Sequence, residues 1–250
     1  MRKIIIISDI LVVLLLGCTN NQSNKNETET IEGDVIINCI DSISPNGYCD
    51  KYCERFYSSG ELMETYTTKD DSILDVSYKG YYKNGNLQDS TFYTAGAVYG
   101  IYKSFYPDGT KKRFCDYVII GDGQYSYRNQ LVEFDSLTEE VNKEKSFYYS
   151  FELPKNIKDE DSLIVNFYFN NPMYQDTSYL EFGNYDEFFR ISKEDKEKTR
   201  IIPVINQKAE FKIKVEKRDY YFIRGIIYNF DKADTTKRRL FYFYEKYEVN

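Results

Sequence analysis

Three evenly spaced glycines constrain this chain most. Gly60, Gly85 and Gly109 stand 25 and 24 residues apart, and each closes a tyrosine-rich unit. The units are Phe56-Tyr57-Ser58-Ser59-Gly60, Tyr81-Tyr82-Lys83-Asn84-Gly85 and Phe105-Tyr106-Pro107-Asp108-Gly109. A fixed period of this size marks stacked copies of one supersecondary unit, each needing its neighbours to bury its apolar face. Seven residues before the glycines stand Cys53, Tyr78 and Tyr102; three before stand Tyr57, Tyr82 and Tyr106. Strand alternation puts these on one face with Arg55, Gly80 and Ser104. The other face carries Phe56, Tyr81 and Phe105 beside Glu54, Lys79 and Lys103. Asn84-Gly85 and Asp108-Gly109 are hairpin signals, because tight turns that match strand twist need positive φ. A second turn falls 11 residues later, at Asp71 and Gly96. Each period therefore reads as two turns joined by short strands. Residues 125–131 read as a weak fourth unit, with Asn129 in the place of glycine, since asparagine tolerates the left-handed region.

Tyr81-Tyr82-Lys83-Asn84-Gly85-Asn86-Leu87 and the stretch 100–109 resemble MORN repeats, most closely the bacterial variant of YwqK-like proteins. The resemblance covers about a quarter of the chain. Two departures stand out. The chain has no Trp, and its first unit has Asp71 where a second glycine is expected. The resemblance implies a β-hairpin ladder used for binding or assembly, with no catalytic residue. An antitoxin label attached to such proteins implies an inhibitor as an alternative.

Residues 1–17 read as a targeting segment. Arg2 and Lys3 precede a mostly apolar run over 4–16 that is interrupted by Asp9. At about 1.5 Å per residue the run spans ~20 Å, short of the ~30 Å of a bilayer core. Leu15-Leu16-Gly17-Cys18 resembles the lipobox of bacterial lipoproteins, which implies a lipidated Cys18 as mature N-terminus and a membrane partner through that anchor. Thr19 follows, not aspartate, so the resemblance points to the cell envelope and its outer membrane. Residues 18–33 are polar and free of aromatics, which reads as a flexible tether.

Four further cysteines remain: Cys39, Cys49, Cys53 and Cys115. An even number in an exported chain suggests disulfides. In a meander, Cys53 and Cys115 lie five strands apart, about 24 Å, beyond the ~4.4–6.8 Å between Cα atoms that a bridge requires. One bridge is expected among Cys39, Cys49 and Cys53, with Cys115 a buried thiol.

Beyond residue 144 the repeat stops and clean alternation begins. Phe147, Tyr149, Phe151 and Leu153 point one way, as do Leu163, Val165, Phe167 and Phe169, and then Phe211, Ile213 and Val215. Residues 220–228 are apolar on both faces apart from Arg224, as a central strand would be. Residues 240–249 form the last strand, and the charged connection 184–200 holds a short helix. The expected fold is all-β: a MORN-like hairpin meander over 34–143, then a two-sheet β-sandwich over 144–250, immunoglobulin-like or fibronectin-like in pattern only. Tyrosine supplies 26 of the 250 residues, which suits half-buried pleated surfaces.

The chain has no histidine, which removes Ser-His-Asp and Cys-His catalysis and the commonest metal ligand. Gly121-Asp122-Gly123 lacks the lysine and helix of a phosphate loop. Net charge is −7, which disfavours nucleic acid as a partner. Carboxylate pairs at Asp70-Asp71, Asp159-Glu160-Asp161 and Asp186-Glu187 read as solvated loop acids, although two carboxylates suffice for glycoside hydrolysis. No catalytic residue, cofactor or metal is expected. Three functions stay open: a lipid-anchored, non-catalytic scaffold that binds a protein partner, an envelope antitoxin or immunity-type inhibitor, and a carboxylate-dependent envelope hydrolase. For the first, Phe56, Tyr81 and Phe105 are the candidate binding surface, unless both faces of the ladder are core.

Overall fold

The computed structural model describes residues 27–32, 35–43, 49–69, 72–121, 123, 125–153, 162–171, 178–214, 220–231 and 233–248. The targeting segment and Cys18 lie outside the described residues. The chain divides into two compact units, Met1–Thr110 and Lys111–Asn250. The expected boundary at 143/144 falls inside the second unit. Among the described residues no helix is long and apolar enough to cross a membrane.

Among the described residues the first unit holds seven strands: β1 (Glu27–Glu32), β2 (Val35–Ile43), β3 (Cys49–Phe56), β4 (Leu62–Lys69), β5 (Ser72–Tyr81), β6 (Leu87–Thr94) and β7 (Ala97–Phe105). They lie in sequential order, each antiparallel to the next. The expected tether over 18–33 needs correction at its end, because Glu27–Glu32 pair with β2. A polar strand with few apolar groups is held there by ladder hydrogen bonds.

The repeat glycines do what their spacing implies. Gly60, Gly85 and Gly109 have φ of +95°, +84° and +90°. Each ends a three-residue loop: Gly60 N–H donates to the Tyr57 carbonyl and Tyr57 N–H to the Glu61 carbonyl, and the other two turns repeat the pattern. This is a type I turn followed by a left-handed glycine, with a bulge where the strands resume pairing. The opposite end of the β6–β7 hairpin is tighter. Thr94 pairs with Ala97, and both Ala95 (φ +48°) and Gly96 (φ +77°) are left-handed.

Register then sorts the side chains. Cys39, Cys53, Tyr66, Tyr78 and Thr91 follow one another across β2 to β6 on one face. Ile37, Cys39, Cys53 and Tyr66 form its buried core, with Val35 and Val76 against it. Cys39 and Cys53 are directly opposed, Cα atoms 4.1 Å apart, and are joined by a disulfide. Closing a loop of this length contributes about 3 kcal/mol in the chain-entropy view. Lys51 is buried on the same face, with its Nζ 3.7 Å from Asp41.

The second unit opens with a hairpin, β8 (Lys111–Ile120) and β9 (Tyr125–Glu133). Among the described residues seven strands follow: β10 (Tyr148–Glu152), β11 (Ser162–Asn170), β12 (Ser178–Phe182), β13 (Arg200–Val204), β14 (Lys208–Lys214), β15 (Tyr220–Phe230) and β16 (Arg238–Glu248). They form two sheets, in the orders β10-β11-β14 and β13-β12-β15-β16. The sheets meet through rings: Phe169 on Phe241 at 4.8 Å, Phe151 on Phe243 at 5.4 Å and Phe182 on Phe211 at 4.8 Å. Central strand β15 runs between β12 and β16. Gly225 lies within it because a Cβ there would collide with the Glu181 carbonyl and the Phe243 ring. A short helix α1 (Lys193–Lys196) sits in the 184–200 connection, capped by the Ser192 hydroxyl.

Asn129 is not a turn residue, which corrects its reading as a glycine substitute. It lies inside β9, wholly buried. Its Oδ1 accepts the Tyr242 N–H at 2.7 Å and its Nδ2 donates to the Tyr242 carbonyl at 2.6 Å. One amide side chain thereby makes both ladder hydrogen bonds that edge strand β16 would offer a neighbouring strand at that residue. Tyr127 Oη adds a bond to the Leu240 carbonyl at 2.8 Å. The β8–β9 hairpin also contributes Val118, Ile120 and Tyr127 to a cluster around Tyr185, Ile226 and Tyr242.

Candidate functional site

The sequence-derived site residues fall into distinct places. Gly60, Gly85, Gly96 and Gly109 are turn residues with positive φ. Cys39 and Cys53 are bridged, Cys115 is a buried free thiol, and Cys49 is the first residue of β3. Phe56, Tyr81 and Phe105 are each half-buried at the turn ends of β3, β5 and β7. Tyr57 and Tyr82 stand just beyond those strands and staple one repeat to the next. Tyr57 Oη donates to the Tyr81 carbonyl at 3.0 Å, and Tyr82 Oη to the Phe105 carbonyl at 2.9 Å. Asn84 and Asn86 both donate to the Pro107 carbonyl, and Lys83 Nζ lies 5.2 Å from the Tyr57 ring centroid.

The most exposed rings on that face lie further from the repeat-glycine turns. Register carries one row across β3 to β7: Tyr52, Thr67, Ser77, Phe92 and Tyr99. Tyr52 is 38% exposed, Phe92 37% and Tyr99 46%; Ile101, next along β7 on the same face, is 53% exposed. Thr67 and Ser77 between them are exposed hydroxyls. Phe92 and Tyr99 meet edge to face at 6.4 Å. The adjoining row carries exposed Lys79 and Lys103. Tyr52 Oη donates to Glu54 at 2.8 Å; burial and that carboxylate push the phenol up to about 12. Spacing to the glycines singled out the half-buried rings and missed these, although alternation along β3 and β7 links the two sets.

The opposite face holds a polar row that sequence reasoning also missed. Arg55, Glu64, Gly80 and Asp89 are consecutive partners across β3 to β6. Arg55 Nη1 lies 2.8 Å from Glu64 Oε1, and Tyr78 Oη donates to Glu64 Oε2 at 3.3 Å. A Cβ at Gly80 would stand 2.8 Å from Tyr78 Oη and 2.9 Å from Asp89 Oδ1, so the missing side chain makes room for both. Burial, reinforced by the Glu64 charge, raises the Asp89 carboxyl above the usual range. Burial likewise raises the Tyr78 phenol. The available signal was positional: Glu64 and Asp89 each stand four residues after a repeat glycine.

Of the loop acids, Asp186 is tied to Arg190 at 2.7 Å and to the backbone of its own turn, which holds its carboxyl low. Asp70-Asp71 and Asp159-Glu160-Asp161 lie outside the described residues. Among the described residues no group of three His, Cys, Asp or Glu side chains is placed to hold a metal ion. Compared with known proteins, the chain matches no family model, no curated protein and no solved structure.

Proposed function

We propose that this chain is a lipid-anchored, non-catalytic binding protein of the bacterial cell envelope, which holds its partner on the exposed face of the first unit's sheet. The observation that carries the reading is the row Tyr52, Phe92 and Tyr99 with Ile101. These large side chains stay in water while the opposite face of the same sheet is filled. Half-exposed aromatics rimmed by charge suit a recognition surface better than a core. The leader with Leu15-Leu16-Gly17-Cys18 supports the anchor. The three turns of one geometry, stapled by Tyr57 and Tyr82, support a MORN-like ladder. Lettered A, B, C, C′, E, F and G in chain order, β10 to β16 partition as A-B-E and C′-C-F-G, which supports an immunoglobulin-like sandwich as the second module.

Fatty-acid labelling of the protein in cells tests the anchor; Cys18→Ala should abolish it, and equal labelling would remove the envelope from the proposal. A photo-crosslinking residue at position 99, compared with one at the exposed loop position 236, tests the surface. Capture from intact cells is expected at 99 alone.

One observation favours a second reading, a carboxylate-dependent hydrolase. Glu64, held by Arg55, and Asp89, whose carboxyl is raised, flank a residue with no side chain. A carboxyl raised by burial beside a second, ion-paired carboxylate is an arrangement that acid–base hydrolysis uses. Hydrolysis of any envelope polysaccharide that Asp89→Asn abolishes without altering the melting curve would move the proposal to this reading.

A further inference from the structure

We infer that the filled face of the first unit's sheet binds a primary ammonium group above Gly80, between Asp89 and Tyr78. The site stands apart from the partner face proposed above and uses Asp89 as a ligand rather than as an acid. Alternation and register place Asp41, Lys51, Arg55, Glu64 and Asp89 on this face, from β2 to β7. Lys51 stands 3.7 Å from Asp41, and Arg55 stands 2.8 Å from Glu64. Those two pairs cancel. Asp89 has no ion partner among the described residues, so its carboxylate is the uncompensated charge of the face.

Gly80 makes the room. Tyr78 Oη and Asp89 Oδ1 converge over it, 2.8 and 2.9 Å from where a Cβ would stand. Asp89 Oδ1 is buried with no hydrogen-bond partner. Tyr78 Oη gives its proton to Glu64, which leaves a lone pair to accept. Thr91, opposite Tyr78 and on the same side of β6 as Asp89, is 7% exposed, and its hydroxyl also lacks a partner. Asp89, Glu64 and Tyr78 are half-buried, so the niche is reached from solvent. Its lining offers acceptors and a single negative charge. An ammonium group matches both: three N–H donors, no acceptor and one positive charge. A calcium ion does not, because it takes about six to eight oxygen ligands. Burial and the Glu64 charge hold the Asp89 carboxyl above its usual range, against a smaller pull from the Gly80 N–H. A cation in the niche offsets that cost by pairing with the ionised form.

The test titrates the purified protein, at constant ionic strength, with the chlorides of n-butylammonium, Nα-acetyllysine amide, tetramethylammonium and potassium. Binding is read by calorimetry and by the rise in melting temperature that a ligand of the folded state produces. Both primary ammonium probes should bind. Tighter binding of the lysine derivative assigns the group to a side chain, and equal binding assigns it to a free amine. Tetramethylammonium, which has no N–H, and potassium should not bind. Asp89→Asn keeps the shape and removes the charge. It should weaken butylammonium binding roughly tenfold or more and melt no lower than wild type. Gly80→Ala, whose Cβ enters the niche, should also weaken it, and Glu54→Gln on the opposite face should not. Affinity should strengthen as pH rises, because binding needs the ionised carboxylate. No binding of either primary probe, an equal response to tetramethylammonium or potassium, or unchanged affinity in Asp89→Asn would each overturn the inference.

Discussion

Two residues show how a single side chain or torsion is used here. Asn129 satisfies both backbone groups of Tyr242 from within a buried site. Asn129→Ala leaves the Tyr242 N–H without its partner, at about 1–3 kcal/mol, while the Tyr242 carbonyl keeps the bond from Tyr149 Oη. Urea unfolding should show a clear loss of stability with an unchanged m-value. Asn129→Asp keeps the acceptor, loses the donor and adds a charge beside Asp116, so it should be worse than alanine. Ala95 shows the reverse case, a non-glycine residue held at φ +48° in a two-residue turn. L-residues other than glycine or asparagine are disfavoured there by roughly 1–2 kcal/mol. Ala95→Asn, which also limits the added freedom of the unfolded chain, should raise the melting temperature, whereas Ala95→Val should lower it.

At the scale of elements, the hairpin ladder was legible because its turns need a backbone conformation that few residues supply. Glycine at a fixed period is therefore a direct record of hairpin position. The stapling by Tyr57 and Tyr82 has the same period, and it makes a specific prediction. Tyr82→Phe removes the bond to the Phe105 carbonyl and keeps the ring, so it should cost about 1 kcal/mol, with Tyr57→Phe similar. Their combined cost, measured by denaturant unfolding, should be near the sum, because each staple joins a different pair of repeats. Strands β12 and β13 were not legible. Each has five residues, and Arg200–Val204 carries Pro203 within a charged stretch, so neither offers an alternating run long enough to stand out. The exposed row was hidden for another reason. Alternation gave two faces, both aromatic, and spacing to the glycines cannot tell which rings end in water. Position along the strand decides that: Tyr52 and Tyr99 are further from the repeat-glycine turns than Phe56 and Phe105, and Tyr99 lies near the Ala95-Gly96 turn at the other end of β7.

At the scale of the whole chain, the repeat-like region and the second β-domain were foreseen. That β8 and β9 belong to the second unit was not, because the contacts that bind them there join residues such as Asn129 and Tyr242, 113 apart in sequence. Such side-chain-to-backbone bonds leave no local pattern. Buried acids give this molecule a distinct pH response. Burial raises the carboxyls of Asp116, Glu245 and Asp89 in the folded state. Each therefore favours the fold below its unfolded pKa, and that contribution is lost as pH rises through the raised value. Asp116→Asn keeps an acceptor for the Asn129 amide and removes the charge. Its melting temperature relative to wild type should climb as pH rises above about 4, since aspartate in the unfolded chain titrates near 3.9. A flat difference would mean that Asp116 is not held in a desolvated site.

The exposed row is the centre of the functional proposal, and one double variant addresses it most directly. Phe92→Ser with Tyr99→Ser removes the paired rings from the open face, and both melting temperature and capture of the crosslinked partner are measured. If the rings face water and bind, melting should shift by less than about 4 °C, equivalent to ~1 kcal/mol for a domain of this size, while partner capture disappears. A collapse of the melting transition would show that the rings are core, and full capture in a stable variant would show that the partner is held elsewhere; either result contradicts the proposed surface.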